Sequence, residues 1–76
     1  MSQGNVRIPK ISVEVELTLI DGQVMTGQVF ILATQRVLDL LNAVEPFLPF
    51  RRQGSGEVIL LNKAAIAVAR PLDHRD

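Results

Sequence analysis

The stretch Ile11-Ser-Val-Glu-Val-Glu-Leu-Thr-Leu19, with Asp21-Gly22 just after it, limits what this chain can fold into more than any other feature. Ile11, Val13, Val15, Leu17 and Leu19 alternate strictly with Ser12, Glu14, Glu16 and Thr18. That period of two fits a strand with one buried face. Asp-Gly is the strongest short hairpin signal and predicts a type I′ turn, whose two central residues both take positive φ. A second strand should then run from about Gln23 to Leu32. Gly27 falls inside it, where a missing side chain points to a bulge, a sharp bend or a close backbone approach.

Further along, Thr34 is placed to cap a helix. Val37, Leu38, Leu40, Leu41 and Val44 form an amphipathic stripe over about ten residues, a length that needs packing against the sheet. Pro46 ends it. Pro46-Phe-Leu-Pro-Phe50 reads as an edge strand, because its prolines cannot donate to a ladder. Gln53-Gly-Ser-Gly56 is a turn, residues 57–61 read as a strand buried on both faces, and residues 66–70 as another, joined through Asn62-Lys-Ala-Ala65. Residues 1–10 are expected to form a flexible arm, 11–71 a single domain and 72–76 a solvated tail.

At 76 residues with no cysteine, the chain is close to the lower size limit for folding alone. An apolar content of 47% is high for so small a globule. Some of it should face a partner, and a second copy of the chain is the simplest one; a compact monomer with ordinary surface leucines is the alternative. Eight basic and eight acidic residues cancel, and the only aromatics are Phe30, Phe47 and Phe50. Neither a basic stripe nor a stacking platform is present, so generic nucleic-acid binding is disfavoured. No apolar run is long enough for a membrane helix, and MSQGNVRIPK is not a secretory signal. The cytoplasm is the expected location.

Strand, Asp-Gly turn, bent strand, then a late strand pair with a very short connection resembles the Sm-like small β-barrel. Residues 58–68, followed by Pro71, are similar to that family's second motif: apolar strand, tight turn, apolar strand. There the turn opens with an Arg-Gly or Lys-Gly pair that contacts RNA, whereas Leu61-Asn62 stands at the corresponding place here. Arg36, Asp39, Leu41, Asn42, Phe47, Pro49 and Asn62 also resemble a group of uncharacterised bacterial small domains. These carry an Arg-x-x-Asp-x-Leu-Asn segment, a Phe-x-Pro strand and an apolar strand ending in Asn. That resemblance spans about residues 11–71 and implies an architecture without an activity.

Arg36, Asp39 and Asn42 lie three positions apart and share a helix face. They fit a polar recognition patch, or else an ordinary i, i+3 pair with local bonds to the backbone of the next turn. Arg51 and Arg52, next to a glycine-rich turn, could hold an anion; Lys63 is a further candidate contact. Such charges also keep edge strands from pairing. Phe47, Leu48 and Phe50 are candidate interface residues. Catalysis is not expected: the sole histidine, His74, has no serine or cysteine near it in the tail, and Glu14 and Glu16 point away from the apolar face. Asp73, His74 and Asp76 lack a preorganised metal geometry, and no cofactor is implied. The sequence predicts a mainly β fold: a small, strongly bent, five-stranded antiparallel Sm-like barrel, with one short α-helix between strands 2 and 3. It would serve as a non-catalytic interaction and homo-oligomerisation module assembled through strand edges, with an Sm-like RNA-binding protein as the alternative.

Overall fold

The alternation at the start of the chain builds β1 (Lys10–Leu19) and the bent strand β2 (Val24–Leu32) of a computed structural model, which describes residues 9–72. Then follow α1 (Val37–Asn42), β3 (Phe47–Arg52), β4 (Val58–Asn62), a 3-10 turn at Lys63–Ala65 and β5 (Ile66–Pro71). The five strands form one antiparallel sheet in the order β4-β3-β2-β1-β5. No helix among the described residues is long and apolar enough to cross a membrane. Lys10, expected in the arm, already belongs to β1, and Leu72 N–H continues the β5 pairing by donating to Glu14 O at 2.9 Å.

The β1–β2 hairpin closes differently from expectation. Only Gly22 takes positive φ, at 91°, while Asp21 stays at negative φ. Leu19 N–H donates to Gln23 O, so Ile20, Asp21 and Gly22 form a three-residue loop in place of a type I′ turn. Asp21 Oδ1 accepts from Gln23 N–H at 2.9 Å, which holds the side chain in an Asx turn and removes any need for a second left-handed residue.

The helix is six residues long, shorter than expected, and Arg36 stands at its N-cap instead of Thr34. Leaving β2, the chain makes a turn closed twice by Gln35, whose N–H donates to Leu32 O and whose Oε1 accepts from Leu32 N–H. Thr34 is used up in that turn. Val37 enters the core, with Leu40 and Leu41 half-buried against it, whereas Val44 lies past the helix and is exposed.

Phe47–Arg52 is an interior strand between β2 and β4, not an edge. Hydrogen bonds from Arg52 N to Glu57 O and from Lys63 N to Pro46 O fix its parity, so the even-numbered residues of β3 bond β4 and the odd ones face β2. The β2–β3 pairing covers Gly27↔Arg52, Gln28↔Arg51 and Val29↔Phe50 and goes no further. Pro49 stands where the next hydrogen-bonded pair, with Phe30, would fall, and it has no N–H to give. An interior strand thus tolerates a proline because the ladder on that side has ended. Beyond this point β2 and β3 diverge, and α1 lies in the chain between them.

β4 is half-buried on one face only: Ile59 and Leu61 point inward, Val58, Leu60 and Asn62 outward. It is therefore not the doubly buried strand expected, because no layer covers the outer face. The core comes from the inward positions Val13, Val15 and Leu17 of β1, Met25, Val29 and Ile31 of β2, and Leu48 and Phe50 of β3, closed by Val37.

β4 and β5 are opposite edges of the sheet, yet only three residues join them. Five flat strands would hold their outer members about 19 Å apart, at ~4.8 Å per step. A 3-10 turn of this length advances only about 6 Å, at ~2 Å per residue. The sheet must therefore curl until its edges meet at that turn. The turn is clasped on both sides, by Lys63 N–H on Pro46 O and by Ile20 N–H on Ala65 O, each 2.8 Å. Along the rest of their lengths β4 and β5 do not pair, so the sheet is curled and open, not closed into a barrel.

Candidate functional site

Arg36, Asp39 and Asn42 are all exposed. Asp39 is committed to its own helix, with Oδ2 accepting from Arg36 N–H at 2.9 Å. It satisfies one of the free donors of the first turn, where a carboxylate also suits the helix dipole. The expected Arg36–Asp39 ion pair is not formed; among the described residues the one ion pair is Arg70–Glu16, at 2.7 Å on the outer face. Of the three, Arg36 and Asn42 present their side chains to solvent, and Asp39 serves as a cap.

The three candidate anion contacts do not converge. Arg51 and Arg52 are neighbours on a strand and so point to opposite faces. Arg51 lies over the Phe30 ring, 5.1 Å from its centroid, and reaches Gln28 Oε1 at 3.4 Å. Lys63 turns elsewhere: its Nζ donates to Leu40 O at 2.8 Å and to Ala43 O at 3.0 Å. A cation on the last carbonyls of a helix is favourable, so Lys63 fastens α1 to the β4–β5 turn. Sequence reasoning took it for an anion contact because nothing local reveals carbonyls twenty and more positions away.

Among the candidate interface residues, Phe47 is half-exposed, but Leu48 and Phe50 are wholly buried in the core. Alternation decides this: the even positions of β3 face inward, and Phe47 and Pro49 face outward. Leu48 and Phe50 cannot meet a partner without unfolding the chain.

Two features were not placed by the sequence. One is the pair of free edges. β4, Val-Ile-Leu-Leu-Asn, has no charge and no proline, and β5 stays apolar from Ile66 to Ala69. Val58 and Leu60 on β4 and Val68 on β5 are exposed by half or more. Natural edges are usually blunted with lysine, proline or a bulge; β4 has none of these, whereas β5 has a register shift that skips Ala67 opposite Thr18 and Leu19 and ends in Arg70-Pro71. The other is a hollow where β2 and β3 part, walled by apolar residues of β2, α1 and β3.

Among the described residues no three His, Asp or Glu side chains come together as a metal site. Asp73, His74 and Asp76 lie outside the described residues. Glu16 is held by Arg70, whose Nε and Nη2 both donate to Oε1, and Glu14 is exposed. No family model matches the chain, and neither the curated proteins nor the solved structures compared with it include a match.

Proposed function

We propose that this chain is a non-catalytic interaction module whose partner is a second copy of itself, with β4 of one copy pairing along β5 of the next. The observation that carries this reading is the pair of free strand edges on opposite sides of one curled sheet, β4 being apolar and unblunted throughout and β5 apolar from Ile66 to Ala69. A strand edge is a row of unpaired donors and acceptors, and main-chain pairing needs only a complementary edge. Because the two edges differ, the contact is head-to-tail, and it closes into a ring or runs on as a filament according to the rotation per copy. Val58 and Leu60 of one copy would come beside Val68 of the next and leave solvent there.

The same features support an Sm-like small barrel: a late strand pair at opposite edges, joined by a three-residue turn, in a sheet completed by its neighbours. Absence of cysteine fits a cytoplasmic site of action. The test is light scattering coupled to gel filtration, on the wild type and on Leu60→Lys, which puts a charge on the β4 edge. Wild-type oligomers at micromolar concentration and a folded Leu60→Lys monomer are expected. A wild-type monomer well above micromolar concentration removes the self-assembly reading. Salt-sensitive binding of short U-rich or A-rich RNA, weakened by Arg36→Ala or Asn42→Ala, would favour the Sm-like RNA-binding alternative.

A further inference from the structure

The hollow between the diverging ends of β2 and β3 has a volume of about 340 Å³. It exists because Pro49 ends the β2–β3 ladder, leaving an opening that α1 spans without filling. Phe30 and Leu32 of β2, Leu40 of α1, and Phe47 and Pro49 of β3 supply its walls. Its charged lining is uneven, with Lys10 and Lys63 against the single carboxylate of Glu45. Lys63 spends two of its three N–H donors on Leu40 O and Ala43 O, which leaves one. Lys10 is exposed at the start of β1.

We infer that this hollow binds a small organic carboxylate, with its apolar body against Phe30 and Phe47 and its carboxylate held by the ammonium groups of Lys10 and Lys63. Size and chemistry both favour such an occupant. The volume is at the low end for small-molecule sites, which are mostly apolar with a few polar groups that fix orientation. A net positive lining selects an anion over an amine of the same shape. An apolar body would cover Phe47, which is otherwise 51% exposed. A macromolecular anion does not fit a cavity of this size. Neither β4–β5 edge pairing nor its failure bears on this site, since both free edges lie outside the lining.

The test is a two-dimensional amide NMR titration of the full chain with 4-phenylbutyrate, and with its amide as the uncharged match. Saturable shifts are expected at Phe30, Leu40 and Phe47, with the carboxylate bound about tenfold more tightly than the amide, as one charge-assisted contact would give. Lys10→Glu should abolish that preference and Glu45→Gln should increase it. Both positions are exposed, so folding is not at stake, and Phe47→Ala should weaken both ligands. No saturable shift up to about 10 mM, equal affinity for acid and amide, or indifference to Lys10→Glu would each overturn the inference. So would shifts confined to β4 and β5, or contacts showing the hollow filled by residues 1–8 or by a second copy.

Discussion

Gly27 shows how one absent side chain sets the geometry around it. A Cβ built there would run into the Arg51 carbonyl oxygen and come within 2.7 Å of Phe50 Cζ. Its φ is ordinary, so what the position needs is space, not left-handed backbone. β3 crosses β2 at this point closely enough for Phe50 to fill the core beneath it. Gly27→Ala should therefore destabilise the fold by about 3 kcal/mol, since the backbone oxygen must move and overpacking of this kind is costly. For a domain whose whole stability is of the order of 4–11 kcal/mol, urea denaturation would show it clearly; an unchanged midpoint would contradict the close approach. The sequence offered close approach as one of three readings at Gly27, because a lone glycine inside a strand fits a bulge or a sharp bend equally well until the neighbouring backbone is placed. Lys63 gave no such signal. Lys63→Met keeps the aliphatic stem and removes the bonds to Leu40 O and Ala43 O, for an expected loss of about 1–2 kcal/mol. Hydrogen exchange in α1 should quicken more than in β1; equal protection in mutant and wild type would show that the clasp is idle.

Elements were legible where one residue type repeats and obscure where neighbours decide. β1 and β2 followed from alternation, and the β4–β5 pair from two apolar runs around Asn62, whose Oδ1 caps the 3-10 turn by accepting from Ala64 N–H. The edges were not legible, because a strand with two prolines normally lies at the rim. Pro46 precedes β3, and Pro49 faces a ladder that has already stopped, so neither proline breaks a bond. That displaced the open edge from β3 to β4 and turned Leu48 and Phe50 from an expected surface into core. The recognition patch on α1 was legible as a pattern, but whether Asp39 caps or contacts depends on where the helix begins. Hydrogen-bond parity yields a sharper prediction for β4. Leu61 N–H points at β3 and Leu60 N–H points outward, as the bonds of Lys63 and Arg52 on either side require. Leu61→Pro should unfold the domain, while Leu60→Pro should leave a folded chain that no longer assembles. Circular dichroism and light scattering on both variants check this; a Leu60→Pro that still assembles would show that β4 is not the joining edge.

At the scale of the whole molecule the balance between core and surface is uneven. Among the described residues nine buried apolar side chains make the core, while eight large apolar side chains are exposed. Three of the eight, Val58, Leu60 and Val68, stand on the two free edges, and Val24 continues the row through Thr18 to Val68 across the outer face. A chain of this length hides only about 60% of its unfolded surface by itself, and burying one such side chain contributes roughly 1.5–3 kcal/mol. Assembly through the edges would thus add stability on a scale comparable with that of the isolated domain. Mass action makes this measurable, because binding that favours only the folded state adds about 2.7 kcal/mol when the partner is at 100 times its Kd. Each kcal/mol moves Tm by about 4–8 °C in a domain of this size. Melting followed across a hundredfold range of protein concentration, starting near the assembly Kd, should therefore show Tm rising by on the order of 10–20 °C. Leu60→Lys should flatten that rise and hold Tm near the dilute wild-type value. A wild-type Tm independent of concentration would mean that the copies do not stabilise one another, and that the exposed valines and leucines are ordinary surface.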